Sequence, residues 1–109
     1  MNTTLLKWID ENRDGEPVEA VILGELEYTN ALVPEDYVQK IGKVMTLDEA
    51  MPYLTYGFDS GYGVPECTPV VVYTPTWIIS VWQYDGLTRP FRLPRNPMDG
   101  FIPDMPGSS

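Results

Sequence analysis

The chain has no histidine and a single cysteine, Cys67, in 109 residues. The first absence removes the commonest general base, the commonest zinc ligand, the usual Ser-His-Asp triads and the side chain that changes charge near neutral pH. The second removes an internal disulfide framework and every multi-thiol metal cluster. Basic residues are also scarce, seven against 16 acids, for a formal net charge of −9. Phosphate-backbone binding runs on cationic side chains, so direct nucleic-acid binding is disfavoured. No apolar run approaches the ~20 residues of a membrane helix. The longest, around Val21–Leu23 and Val70–Tyr73, are strand-sized, and no membrane partner is expected. The segment Met1 to Lys7 lacks the charged-then-apolar pattern of a secretion signal, which makes the cytoplasm the expected compartment.

What remains is the composition of a folded domain. Apolar residues make up 43% and aromatics 12%, more than a disordered chain carries. The length suits one domain with its own core. We expect a single domain over residues 1–103 and a flexible tail over 104–109, because Pro94, Pro97, Gly100, Pro103, Pro106 and Gly107 leave no room for a regular element.

Local patterns give an α+β reading. Thr3 or Thr4 can cap a helix whose buried stripe is Leu5, Trp8 and Ile9, ended by Asn12, Asp14 and Gly15. Val18–Leu23 is β-rich, and the alternation through Glu25, Leu26, Glu27 and Tyr28 extends it as an edge strand. Pro34–Val38 suits one helical turn, and Gly42–Met45 a short strand. Thr46 and Glu49 have capping-box spacing ahead of a short helix to Leu54, in which Pro52 is awkward. Residues 56–65 form a glycine-aromatic loop. Strands follow at Thr68–Thr74 and Trp77–Tyr84, then an Asp85-Gly86 hairpin turn and a returning strand Leu87–Leu93 that Pro90 pushes to an edge. The expected architecture is a mainly antiparallel sheet of four to five strands with one or two short helices on a face. Trp77–Tyr84 is apolar on both sides, which places it in mid-sheet with both faces covered, or covered by another subunit. Trp77, Trp82, Tyr73 and Phe91 read as core.

No motif calls for a cofactor, and none is expected. The loop Tyr56–Gly63 has glycines and aromatics but neither the strand-loop-helix context nor a lysine for a phosphate, so it reads as a structural or partner-contacting loop. Cys67 follows a carboxylate and has no base to activate it, so it reads as a small buried residue. Arg89, Arg92 and Arg95 could bind an anion or a carboxylate, but read more simply as balancing the acidic half internally or guarding an edge strand. Twelve of the 16 acids precede residue 60, facing four cations. This asymmetry favours a non-enzymatic protein-binding module or inhibitor that recognises a basic surface on another protein. Its candidate contact residues are Glu25, Glu27, Glu35, Asp36, Tyr56, Asp59, Tyr62 and Tyr84. Two other functions stay open. One is a self-associating accessory protein of a phage or mobile element, with a possible homodimer through Trp77–Tyr84. The other is a carboxylate-dependent enzyme using a divalent cation, which requires acids converging in a pocket.

Overall fold

A computed structural model describes residues 2–26, 33–61, 67–84 and 87–100, without the side chains of Asn2, Tyr84 and Asp99. Glu27, Glu66, Tyr62, the Asp85-Gly86 turn and the tail 104–109 lie outside the described residues.

The chain opens with a two-residue strand β1 (Asn2–Thr3) and helix α1 (Leu5–Asn12). The Thr4 hydroxyl accepts from the Lys7 N–H, satisfying one of the orphan donors of the first turn. Leu5, Trp8 and Ile9 are buried, as their spacing requires. Asp14 and Gly15 then take positive φ, 56° and 76°, and reverse the chain out of the helix. Strand β2 (Ala20–Leu23) buries Val21 and Leu23 on one side and half-exposes Ala20 and Ile22 on the other. It ends at Leu23, short of the acidic alternation after it. The Gly24 N–H still reaches the Pro69 carbonyl, but Glu25 and Leu26 have left the ladder.

Two single-turn helices follow, α2 (Tyr37–Lys40) and α3 (Leu47–Ala50). The Thr46–Glu49 capping box forms in both directions, at 2.9 and 3.2 Å. Pro52 is accommodated by a change of helix type, since Met51–Tyr53 is a 3-10 turn with the proline in its first positions. Residues 42–45 form no strand. Met45 makes one antiparallel bridge to Val21, and Ile41 one parallel bridge to Leu23. Inside the glycine-aromatic segment Phe58–Asp59 forms a short strand β3, paired antiparallel with β1.

The main sheet has the order β2-β4-β5-β6, all antiparallel, with β4 at Val70–Tyr73, β5 at Trp77–Tyr84 and β6 at Leu87–Pro94. Tyr84 pairs with Leu87, which leaves a two-residue connection. The fold is therefore α+β, with one four-stranded sheet, a two-stranded ribbon and three short α-helices among the described residues. The core lies on one side of the sheet: Leu5, Trp8 and Ile9 of α1 meet Val21, Leu23, Val70, Val72 and Ile79, with Tyr37, Tyr53, Leu54 and Phe58 beside them. Trp8 and Phe58 pack edge to face at 5.2 Å, and Tyr37 and Tyr53 at 5.8 Å.

Strand β5 does sit in mid-sheet, but only one of its faces joins the core. From it Ile79 is buried, with Trp77 and Val81 packed beside it. Tyr73, Trp82 and Phe91 are not core residues. They share the opposite face with Ile22, Val71 and Ile78, all half-buried.

Candidate functional site

Among the expected contact residues, the structure gathers some and separates others. The Tyr37 phenol donates to the Gly24 carbonyl at 2.6 Å across 13 residues of chain. Tyr37 is buried, so this bond anchors the end of β2, and with it Glu25, to the segment carrying Glu35 and Asp36. All three carboxylates are exposed. Asp36 lies beside Tyr53, whose phenol is pushed above its ordinary value by burial and then by that carboxylate. Asp59 is exposed on the β1–β3 ribbon, a different element, where its side chain accepts from the Gly61 N–H at 2.8 Å. Tyr56 turns inward: its phenol oxygen accepts from the Thr68 N–H at 2.7 Å, and burial raises its pKa. It ties the glycine-aromatic segment to the chain entering β4. Of Tyr84 only the backbone is described, at the hairpin end of β5.

The arginines divide. Arg95 pairs with Glu19 and also donates to the Thr74 carbonyl at 2.9 Å. Arg92 lies over the Trp77 ring at 3.8 Å and donates to the Asn12 carbonyl at 3.0 Å, capping the last turn of α1 with a cation. Arg89 is exposed on β6. Two of the three thus reach the acidic half, one at a carboxylate and one at a carbonyl. Asp10 is neutralised locally by Arg13 at 2.9 Å. Glu11, Asp14 and Asp48 remain exposed with Glu25, Glu35 and Asp36.

Glu16 has a role that the sequence does not signal. Its carboxylate accepts from the Thr74 hydroxyl at 2.7 Å and the Thr76 N–H at 3.0 Å, about 60 residues away. The same Thr74 hydroxyl accepts from the Trp77 N–H at 2.9 Å. One acid after α1 therefore locks the β4–β5 turn. The bonds from Thr76 and Thr74 hold the Glu16 carboxyl below its ordinary value of 4.5. A depressed carboxyl contributes stability above the unfolded-state pKa and loses it as pH falls through the folded-state value. In urea titrations from pH 7 to pH 3, Glu16→Gln should lower the midpoint at neutral pH and flatten its decline toward acid. An unchanged acid slope would show that the turn does not depend on this charge.

Cys67 is buried, and burial pushes its thiol up to about 11, so it is held as the neutral thiol. Among the described residues, no group of three or more carboxylate or thiol side chains is placed to hold a metal ion. No described helix is long and apolar enough to cross a membrane.

A concave region of ≈ 290 Å³ opens on the sheet, with apolar side chains predominating in its wall. Ile22, Pro69 and Trp82 line it from the face away from the core, and Leu23, Cys67 and Val70 from the core side. Gly24 is packed against Pro69, whose Cβ a side chain there would meet at 2.8 Å, and the Ser80 hydroxyl donates to the Val70 carbonyl at 2.7 Å.

Both edges of the sheet are closed. On the β2 side Val21 and Met45 exchange two backbone hydrogen bonds of 2.9 Å, and the Gly42 N–H takes the Leu23 carbonyl. On the β6 side the pairing parity decides which N–H groups point outward. Arg95 donating to the Thr76 carbonyl continues the bonded pairs, so Thr88, Pro90, Arg92 and Pro94 present their outward side to the free edge. Two of these are prolines with no N–H, and the Thr88 N–H is already given to the Ser60 carbonyl at 3.2 Å. Strand addition at either edge would find few partners.

Comparison with protein families, with curated proteins and with solved structures returns no match to any of them.

Proposed function

We propose that this chain is a non-enzymatic protein-binding module whose exposed carboxylates recognise a basic surface on its partner, as a small acidic inhibitor does. The supporting observation is the end of β2. There Glu25, Glu35 and Asp36 stay exposed on two segments that the Tyr37–Gly24 hydrogen bond holds together. Holding the carriers rigid lowers the entropy lost on binding, and like charges on one end attract a cationic partner from a distance.

The test uses the partner recovered by crosslinking in the source cells. Its affinity is measured against salt for the native chain, for a variant with Glu25→Lys, Glu35→Lys and Asp36→Lys, and for a control with Glu11→Lys, Asp14→Lys and Asp48→Lys. Both variants change the net charge equally. The first should lose at least about tenfold in affinity and most of the salt dependence, and the control much less. Equal losses would overturn the location and leave only net charge, and no loss in either would overturn the recognition of a basic surface.

A further inference from the structure

We propose that the Asp14-Gly15 step is a site of spontaneous backbone isomerisation, where Asp14 passes through a cyclic imide to isoaspartate and so releases the hold of Glu16 on the β4–β5 turn. This does not rest on the acidic end of β2.

The chemistry is intramolecular and needs only water. The Gly15 backbone nitrogen attacks Cγ of the Asp14 carboxyl in its protonated form. A C–N bond forms, the nitrogen gives up its proton, and the carboxyl hydroxyl leaves with that proton as water. Hydrolysis of the succinimide ring then takes one water back. Opening at Cγ restores aspartate. Opening at the former main-chain carbonyl leaves the chain running through Cβ and Cγ, with the carboxylate attached directly to Cα. Mass and charge are unchanged, and the backbone is one methylene longer.

Three Asp-Gly steps occur in the sequence, and Asp14-Gly15 is the one whose aspartate side chain is described. Ring closure rotates the peptide plane between the two residues, and here no bond holds that plane. Among the described residues, neither the Asp14 carbonyl nor the Gly15 N–H makes a hydrogen bond, and the Asp14 carboxylate has no partner. Both residues are exposed, and a carbon built onto Gly15 would meet no atom within 4 Å, so the ring has room.

The contacts around the step carry the change inward. Asp14 and Gly15, both at positive φ, make the tight reversal out of α1. That reversal is closed by the Glu16 N–H on the Arg13 carbonyl at 2.9 Å and by the Arg13 guanidinium on the Glu16 carbonyl at 3.3 Å. Both bonds span the step. An extra methylene inside them displaces the Glu16 carboxylate from the Thr74 hydroxyl and the Thr76 N–H.

The full chain, folded in buffer or unfolded in guanidinium chloride, is held for several weeks at physiological temperature and neutral pH. Isoaspartate is read by methyl transfer from S-adenosylmethionine with an isoaspartyl methyltransferase, and located by peptide mapping. The folded chain should form it at position 14 at a rate within about tenfold of the unfolded chain. Asp14→Asn, which loses ammonia in place of water, should form it at least about tenfold faster. Asp14→Glu keeps the charge but cannot close this ring, and should form none there; circular dichroism shows that each variant has folded. A folded rate slower than that margin, or isoaspartate confined to the other two Asp-Gly steps, overturns the proposal. The isomerised chain, separated by reversed-phase chromatography and refolded, should unfold at a lower urea midpoint. In a Glu16→Gln background the shift should be less than half as large. No shift, or equal shifts in both backgrounds, overturns the link to Glu16. Binding of a basic partner enters none of these readouts, so failure here is distinguishable from failure of the proposed function.

Discussion

Trp8→Ala is expected to lower the unfolding free energy by about 3–5 kcal/mol. Trp8 is 8% exposed, on the buried stripe of α1, with its ring edge to face against Phe58. Its removal leaves a void that α1, held at both ends by the Thr4 cap and the Arg92 contact, cannot collapse to fill. A domain of this size holds about 5–15 kcal/mol in all, so the loss is a large share of the total. Trp82→Ala is the internal comparison. Trp82 is half-buried on the outer face, and its truncation should cost about 1 kcal/mol or less. Urea titrations followed by circular dichroism separate the two. Similar costs for both tryptophans would mean that the inner and outer faces have been assigned wrongly.

Alkaline titration should produce the second large effect, a cooperative unfolding between pH 10 and 12. Burial pushes the Tyr37 phenol from its ordinary 10.0 up to about 12, and burial also raises Tyr53 and Tyr56. For an acid with a raised folded-state pKa, the sign is opposite to that of Glu16. The stabilisation is complete below the unfolded-state value, and it is lost as pH rises toward the folded-state value, because the unfolded chain releases its protons first. Tyr37 alone contributes about 2 kcal/mol across that interval, and the other two act in the same direction. Tyrosinate absorbance should therefore rise in two stages, a gradual one from accessible phenols and a steep one coincident with loss of the far-ultraviolet signal. Tyr37→Phe removes one titrating group and the Gly24 bond together. It should soften the alkaline transition while lowering stability by about 1–2 kcal/mol at neutral pH. A smooth, single-stage tyrosinate titration with the fold intact would show that these phenols are open to water.

Much of the architecture was legible before any coordinates. The Thr4-capped helix, the Thr46–Glu49 capping box and the β5–β6 hairpin depend on interactions within a few residues, where side-chain type and spacing decide the outcome. The burial of Cys67 was legible for a similar reason, since a small apolar thiol without an activating neighbour belongs inside. Where the reading missed, the missing information was long-range. Trp82 and Trp77 have the same residue type and sit five positions apart on one strand, yet one packs on the core and the other does not. Period-2 alternation separates the two faces but does not say which one the helices cover. The extension of β2 through Glu25 failed because a strand lasts only as long as its partner does, and the β4 pairing stops at Val70.

The sequence by itself determined the acidity, the absence of imidazole chemistry and the local elements with their caps, because each is written in a few adjacent residues. The tertiary structure alone decided that Glu16 locks a turn about 60 residues away, and that Tyr37 ties Gly24 to the Glu35–Asp36 segment. It alone decided that the prolines of β6 fall where their missing N–H groups close an edge, and that Tyr73, Trp82 and Phe91 lie off the core. Each of these depends on which distant segments meet and in what register, a choice made by the packing of the whole core and not by any local pattern.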